Sequence, residues 1–283
     1  MEKVKWRLLE LQSYDPQMNM AIDEALMYSV ADGSKPIIRF FSWFPTSISL
    51  AYKQLLDEID TVKCDDYGFG YVRRPTGGRA IFHHTLDEFS YSVIAPNKIL
   101  KAGLDSFQII CGWIMDGLES VGLKPELVNK NDILIKGKKI VGSAQYDKYF
   151  PNKGRILLQH GSINYNTEYL EKAFEVLRVK PEKFEVAKKI ASDYITSIFE
   201  KTNISYHEAY SAIKDSFIGG KDFEISRLTP EEVNNATRFV VDKYRIDTEW
   251  TNKEGKEKRG FCHLIWGNER DKNYKNLWNQ LVE

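Results

Sequence analysis

Cysteine is scarce in this chain: Cys64, Cys111 and Cys262 are the only three among 283 residues. An odd number in scattered contexts, with no CxxC pair, excludes a disulfide framework and gives no support to zinc or dithiol chemistry. The expectation is reduced, structural thiols. Net charge is also missing, because 40 basic and 40 acidic residues cancel, so no global field recruits nucleic acid or an anionic membrane. Aromatic residues do not alternate with basic ones as a base-stacking platform requires. No apolar run approaches the roughly 20 residues that span a bilayer, and MEKVKWRLLE has no signal-peptide core. A soluble cytoplasmic protein is expected, with no nucleic-acid or membrane partner. There is no GxSxG elbow, paired-carboxylate motif, P-loop, dinucleotide fingerprint or internal repeat.

With 42% hydrophobic residues the chain can bury a substantial core. Asp15-Pro16 followed by QMNMAIDEALMYSVADG predicts a capped helix ending at Gly33. IIRFFSW and SISLAYK read as strands around Phe44-Pro45, LLDEIDTVKCDDYG as a short helix, and FGYVRRPTGGRAIFHHTLDEFSYSVIAP as two or three strands broken by Gly-Gly. LDSFQIICGWIMDGLESVG is a long apolar helix. In NDILIKGKKIVGSAQ, alternating apolar runs flank a Lys-Gly-Lys turn, which predicts a β-hairpin; strict alternation places Lys139 on the same side as Val141 and Ser143. RILLQHGSINYN is a further strand. After it come helical patterns in TEYLEKAFEVLR, ASDYITSIFEK and SYHEAYSAIKDSFIGG, the strand DFEISRL, and a helix from Thr229-Pro230 to about Tyr244. Strands concentrated before residue 165 and helices after it predict an α+β fold. Residues 1–250 read as one domain and 251–283 as an extension too short to be another.

Several stretches have the residue types of a site. In RRPTGGRA, consecutive glycines let backbone N–H groups converge on an anion, while Arg73, Arg74 and Arg79 add fixed charge suited to phosphate or carboxylate. The plain reading is a Gly-Gly turn with solvated arginines. His83 and His84 fall on opposite faces of one strand, which makes one of them a candidate to face a site and the other solvent or core; the plain reading is a structural histidine at each position. His160 precedes Gly161, a hint of close approach by a ligand or another strand. Asn131-Asp132 is a turn or a carboxylate placed near Lys139. By itself, Lys139 is an ordinary solvated edge-strand lysine.

Taken in order, SWFPTSISLAYKQ, RRPTGGRAIFHH, EFSYSV, NDILIKGKKIVGSAQ, LQHGSI and LTPEEVNNATRFVVDKYRIDTEW resemble the lipoate-protein ligase catalytic domain, in the superfamily shared with biotin ligases and octanoyltransferases. The resemblance covers about residues 5–250 and implies a large mixed β-sheet plus a smaller sheet, flanked by helices. It implies a ligase that uses ATP with Mg2+ to convert lipoate to lipoyl-adenylate and passes the acyl group to a lysine of a lipoyl carrier domain, on a 2-oxoacid dehydrogenase E2 or a glycine cleavage H protein. Lys139 matches the family lysine that contacts the α-phosphate and carbonyl oxygens. Arg74, Thr76, Gly77, Gly78 and Arg79 match the loop around the lipoyl and phosphate groups, and either His83 or His84 matches the family histidine. Asp132, Gly142, Ser143, Ala144, His160 and Gly161 match positions around the adenylate, with Asp132 a candidate magnesium contact and no site made of protein metal ligands alone. The sheet-facing residues of SISLAY and of the strand after Gly78 are candidates for the acyl tunnel.

The pattern departs from the ligases in places. Gly77-Gly78-Arg79 replaces a third glycine, as in cysteine-dependent octanoyltransferases, and Glu88 stands where ligases commonly have Asn. An ATP-independent octanoyl or lipoyl transferase is therefore the alternative, with a catalytically incomplete subunit that holds lipoyl-adenylate or a carrier as a third reading. A covalent acyl-enzyme needs a nucleophile, and the segment ahead of the hairpin, GLKPELVNKNDI, has no cysteine; this favours ligation. Only 33 residues follow Trp250, so the chain resembles the catalytic half of a split ligase that works with a small accessory subunit.

Overall fold

The structure is a computed structural model that describes residues 4–178, 189, 192–245, 248 and 250–251. Apart from Thr251, the expected C-terminal extension lies outside the described residues, and Cys262 with it.

The chain opens with β1 (Lys5–Tyr14) and α1 (Pro16–Ala31). Asp15 caps α1 by accepting from the Met18 amide and Pro16 takes the first turn, as the Asp-Pro pair predicts. Next come β2 (Ile37–Trp43), β3 (Ser47–Leu50), α2 (Thr61–Asp66), β4 (Gly70–Arg73), β5 (Ile81–His83), β6 (Glu88–Pro96) and α3 (Leu104–Ser120). β7 (Pro125–Val128), β8 (Asp132–Ile135), β9 (Lys138–Phe150) and β10 (Gly154–Asn164) follow. The remaining elements are α4 (Leu170–Val176), α5 (Ile198–Thr202), α6 (Tyr206–Ile218), β11 (Asp222–Ser226) and α7 (Pro230–Phe239), the last running into a π turn over Val240–Tyr244.

Eight strands form a mixed sheet in the order β11-β1-β2-β6-β10-β9-β8-β7, and β4-β3-β5 form a second, smaller sheet. One face of the large sheet packs Phe40, Tyr91 and Val93 against Ile110 and Ile114 of α3 and Ile213 and Phe217 of α6. The other face meets Met20, Ile22 and Leu26 of α1, with Ala236 of α7 alongside. Each such fully buried side chain contributes about 1.5–3 kcal/mol, and the two layers fix the sheet between them. The small sheet has its own core with α2 and α4, through Ile48, Phe82, Cys64 and Phe174. Among the described residues no helix is long and apolar enough to cross a membrane.

The helix predicted over ASDYITSIFEK is interrupted. Ile195 pairs with Lys139 in an isolated parallel bridge, and the helix restarts at α5, where Ser197 accepts from the Glu200 amide. Pairing with the strand edge outcompetes local helix propensity there, and it covers the edge at Lys139: the Thr196 amide donates to the Lys139 carbonyl at 2.9 Å.

Candidate functional site

Strict alternation misplaces Lys139. Leu134 pairs with Lys139 but Ile133 pairs with Val141, so β9 has one extra residue, Ile140, in a β-bulge. Val141 therefore joins the α3-side core, and the Ser143 hydroxyl bonds the Tyr91 hydroxyl at 2.7 Å on that side. Lys139 instead turns to the opposite face with Asp132 and Gly142. Its Nζ lies 2.6 Å from Asp132 Oδ1, and its side chain is only 14% exposed. The contact is ionic, since Asp132 Oδ1 has no hydrogen bond of good geometry among the described residues. Asn131 clasps the same strand by donating to the Ser143 carbonyl at 2.8 Å. A solvated edge lysine is thus replaced by a fixed cation.

Gly142 leaves the room for it. A Cβ at Gly142 would come within 2.9 Å of both Cε and Nζ of Lys139, the far end of a flexible side chain. A Cβ at Gly161 would meet the Gly142 carbonyl oxygen at 2.5 Å, which is backbone. Gly142→Ala is therefore expected to displace the ammonium with little loss of stability and to lower activity by about 10²-fold, the cost of a misplaced group. Gly161→Ala is expected to cost about 1–3 kcal/mol by overpacking. Thermal melts and turnover of the two variants, compared side by side, check the contrast.

The arginines of RRPTGG divide. Arg73 is fully buried and donates to the carbonyls of Ala51, Trp250 and Thr251, among others; it ties loops together and is not an anion contact, contrary to the expectation for it. Arg74 bends back across its own loop, donating to the carbonyls of Gly77 and Arg79 at 2.8 and 2.7 Å. It also donates to two hydroxyls, Ser49 Oγ and Thr76 Oγ1, each at 3.1 Å.

Each hydroxyl continues into a histidine and then a carboxylate. Thr76 Oγ1 lies 2.7 Å from His160 Nε2, and His160 Nδ1 lies 3.0 Å from Asp23 Oδ2. Burial pushes the Asp23 carboxyl up, but the bonds from His160 and Ser92 and the Arg39 and His160 charges outweigh it and hold the group below the usual range. Burial is the main cause that pushes His160 below the ordinary imidazole value, against the pull of Asp23. His160 is therefore neutral at neutral pH, with Nδ1 donating to Asp23 and Nε2 accepting from Thr76. Arg39 closes the far side, its Nη1 donating to Asp23 Oδ1 at 2.7 Å. In parallel, Ser49 Oγ lies 2.8 Å from His83 Nε2, and His83 Nδ1 lies 2.6 Å from Glu88 Oε1. His83 stacks on Trp43, with centroids 3.9 Å apart. His84 faces the other way, pairing with Asp87 at 2.7 Å and stacking on Tyr169.

These groups border a cavity of about 250 Å³. Lys139, Asp132, Gly142, Ser143 and Ala144 line it from β8 and β9, and His160 and Gly161 from β10. Arg74, Gly77 and Gly78 of the β4–β5 loop and His83 of β5 close it from the side of the small sheet. Thr76, Arg79 and His84, expected in the site, do not line it; Thr76 acts through His160 and Arg74. Ser49 and Ile81 supply part of the expected tunnel wall, whereas Met20, Phe41, Trp43, Phe107 and Ile195 line it without having been singled out. No sequence pattern marks these last five as lining, because they reach the cavity from different elements.

Among the described residues no group of three or more His, Cys, Asp or Glu is placed to hold a metal ion. The two described cysteines are buried. Burial pushes the Cys64 thiol up to about 12 and the Cys111 thiol up to about 11. Neither lines the cavity; Cys111 lies behind its floor, 3.9 Å from Ser143 Oγ.

Comparison with known proteins places this geometry. The family model described as the lipoyl protein ligase A/B catalytic domain matches residues 15–218. The chain belongs to that family. Among its curated relatives, the octanoyltransferase LipM of Brevibacillus brevis is 30% identical over 281 residues, covering 87% of this chain and 98% of the relative. The octanoyltransferase LipM of Clostridioides difficile is 34% identical over 219 residues, covering 69% and 78%. Among solved structures of the family fold, a bi-partite lipoate protein ligase with its E2 lipoyl domain from Thermoplasma acidophilum superposes with a TM-score of 0.77 at 25% identity, covering 91% of this chain and 99% of that one. A lipoate-protein ligase A bound with ATP gives 0.71 at 25%, covering 88% and 98%. The expected mixed sheets and flanking helices of the lipoyl protein ligase fold are thus present. The names of the curated relatives side with the ATP-independent transferase alternative and not with the ligation that the missing cysteine favours.

Proposed function

We propose that this chain joins a medium-chain acyl group, lipoyl or octanoyl, to the ε-amine of a lysine on a lipoyl carrier domain, and that the acyl group arrives already activated and never rests on an enzyme thiol. The supporting observation is the lining of the cavity around Lys139: a fixed cation and, among the described residues, no cysteine. An acyl-enzyme of the cysteine type needs a thiolate at the reacting carbon, and Cys111, behind the floor with its thiol pushed up to about 11, does not supply one. The chemistry then starts from a donor that is reactive by itself. An acyl-adenylate made from lipoate and MgATP fits this best, with Mg2+ entering on the phosphates as part of the substrate. Negative charge builds on the carbonyl and α-phosphate oxygens as the adenylate forms and again as the amine attacks. A preplaced ammonium stabilises both, and Asp132 at 2.6 Å holds that ammonium in place.

The names of the curated relatives favour a second reading, transfer from an octanoyl thioester without ATP. The purified chain, mixed with a lipoyl carrier domain, separates the two. The adenylate reading expects carrier modification from lipoate with MgATP, and from lipoyl-adenylate supplied directly, but none from octanoyl-carrier protein alone. Acyl transfer from octanoyl-carrier protein without nucleotide would establish the thioester route instead.

A further inference from the structure

We propose that Ser49, His83 and Glu88, lined up against the cavity opposite Lys139, take the proton from the carrier lysine's amine as it attacks the acyl carbonyl. The inference rests on the acyl-transfer reading above and holds for either donor, since both end in the same amide bond.

The directions of the hydrogen bonds carry the argument. Arg74 has only donors, so its Nη1 contact at 3.1 Å makes Ser49 Oγ an acceptor. Glu88 Oε1 accepts at 2.6 Å from His83 Nδ1 and at 3.3 Å from each of the Ser90 and Ser162 hydroxyls. With Nδ1 donating, His83 Nε2 accepts, and the single hydroxyl proton of Ser49 points to it at 2.8 Å. The line is a hydroxyl, a base and an orienting carboxylate at hydrogen-bond spacing, the arrangement that activates or deprotonates a nucleophile. All three residues are at least 98% buried, yet Ser49 and His83 line the cavity.

The sheet register sets this line across from the cation. Ser162 pairs with Ser90 on one side and with Gly142 on the other. Ser162 Oγ lies 3.4 Å from His83 Nδ1, and Gly142 is the position whose Cβ would come within 2.9 Å of Lys139 Nζ. Lys139 lines the cavity from β9 and Ser49 and His83 line it from the small sheet, so an amine that enters to attack a carbonyl held by Lys139 comes between the cation and the relay. The parallel line Thr76–His160–Asp23 is built from the same parts, but Thr76 does not reach the cavity and Arg39 occupies its carboxylate. That line positions the loop.

In the step itself, the amine lone pair forms the C–N bond. The bond from the carbonyl carbon to the phosphate oxygen, or to sulfur, breaks and its electron pair leaves with the donor. The surplus N–H proton passes to Ser49 Oγ as the hydroxyl proton of Ser49 moves to His83 Nε2. Glu88 faces the resulting imidazolium, which returns its proton to the leaving group or to water.

The test compares two nucleophiles with one donor, lipoyl-adenylate or octanoyl thioester, whichever the wild type uses. The carrier lysine needs a base, whereas hydroxylamine sheds its proton readily to water. His83→Gln is expected to slow amide formation on the carrier by about 10²–10⁴-fold while acyl hydroxamate formation, taken above the enzyme-free rate, stays within about threefold of wild type. Glu88→Gln keeps the shape of the line without its charge and is expected to slow the carrier reaction about tenfold, again sparing hydroxylamine; it decides the matter should His83→Gln not fold. Parallel loss of both products, or undiminished carrier modification, would overturn the relay. Failure of the wild type to form either product faster than the enzyme-free reaction, from either donor, would overturn the acyl-transfer reading itself.

Discussion

Lys139→Ala is expected to lower acyl transfer to a carrier domain by about 10²–10³-fold, the typical loss on removing one preorganised group that stabilises developing negative charge. The bulge at Ile140 turns this lysine out of the α3-side core and over the cavity, Gly142 leaves space for its head group, and Asp132 fixes it at 2.6 Å. The ammonium contributes a charge in a partly dry site, where its effect on the transition state is large. Removing it leaves Asp132, 6% exposed, without its counter-ion, at a cost below the roughly 3–5 kcal/mol of a fully enclosed pair because both residues border the cavity. Lys139→Ala is thus expected to lower the melting temperature by several degrees while the chain still folds. Intact-mass measurement of the carrier domain over time, with melts of both proteins, checks the pair of outcomes. Unaltered transfer would remove Lys139 from the reaction.

The largest loss of stability is expected at Asp23. Asp23→Ala removes the carboxylate that accepts from Arg39 at 2.7 Å, Ser92 at 2.7 Å and His160 at 3.0 Å. Arg39 is 2% exposed and would keep a buried charge with no counter-ion. Breaking such a pair costs about 3–5 kcal/mol, a large share of the roughly 5–15 kcal/mol that holds a domain folded. Asp23→Asn, which keeps the shape, is expected to lose less, and urea midpoints compare the two. The wild-type pH dependence follows from the same groups. The folded-state pKa of Asp23 lies below its ordinary 3.8, so its contribution is complete above that value and is lost as pH falls through the folded pKa. The folded-state pKa of His160 lies below its ordinary 6.5. The unfolded chain therefore takes up that proton first, and stability begins to fall as the pH drops below about 6.5. Both effects have one sign: acidification destabilises. A urea midpoint that rises between pH 7 and pH 5 would contradict the assignment.

Much of the fold was legible from local pattern. The Asp15-Pro16 cap, the helix within SYHEAYSAIKDSFIGG, the helix start at Thr229-Pro230 and the hairpin around Gly137 fall where the sequence places them, because each is set by residues a few positions apart. The break before α5 was not legible, since Ile195 is drawn off by a strand 56 positions away in the chain. At the site, RRPTGG, the lysine hairpin and LQHG announced themselves through residue type and order. The division of labour within them did not. Arg73 and Arg74 are neighbours of one kind, yet Arg73 is enclosed by carbonyls from two distant loops and Arg74 by its own loop and Ser49 of β3. His83 and His84 were known to point apart, but not which way.

By itself, then, the sequence determined the element types, the family and the short list from which the site is built, since periodicity, capping and motif order are local properties of a chain. Tertiary structure alone decided that Lys139 is a caged cation, that His83 and not His84 meets the cavity, and that Ser49 and Glu88 stand on either side of it. Those outcomes depend on a one-residue bulge and on the register between strands. A shift of one residue reverses the face of every side chain after it, and nothing short of the assembled sheet specifies where that shift occurs.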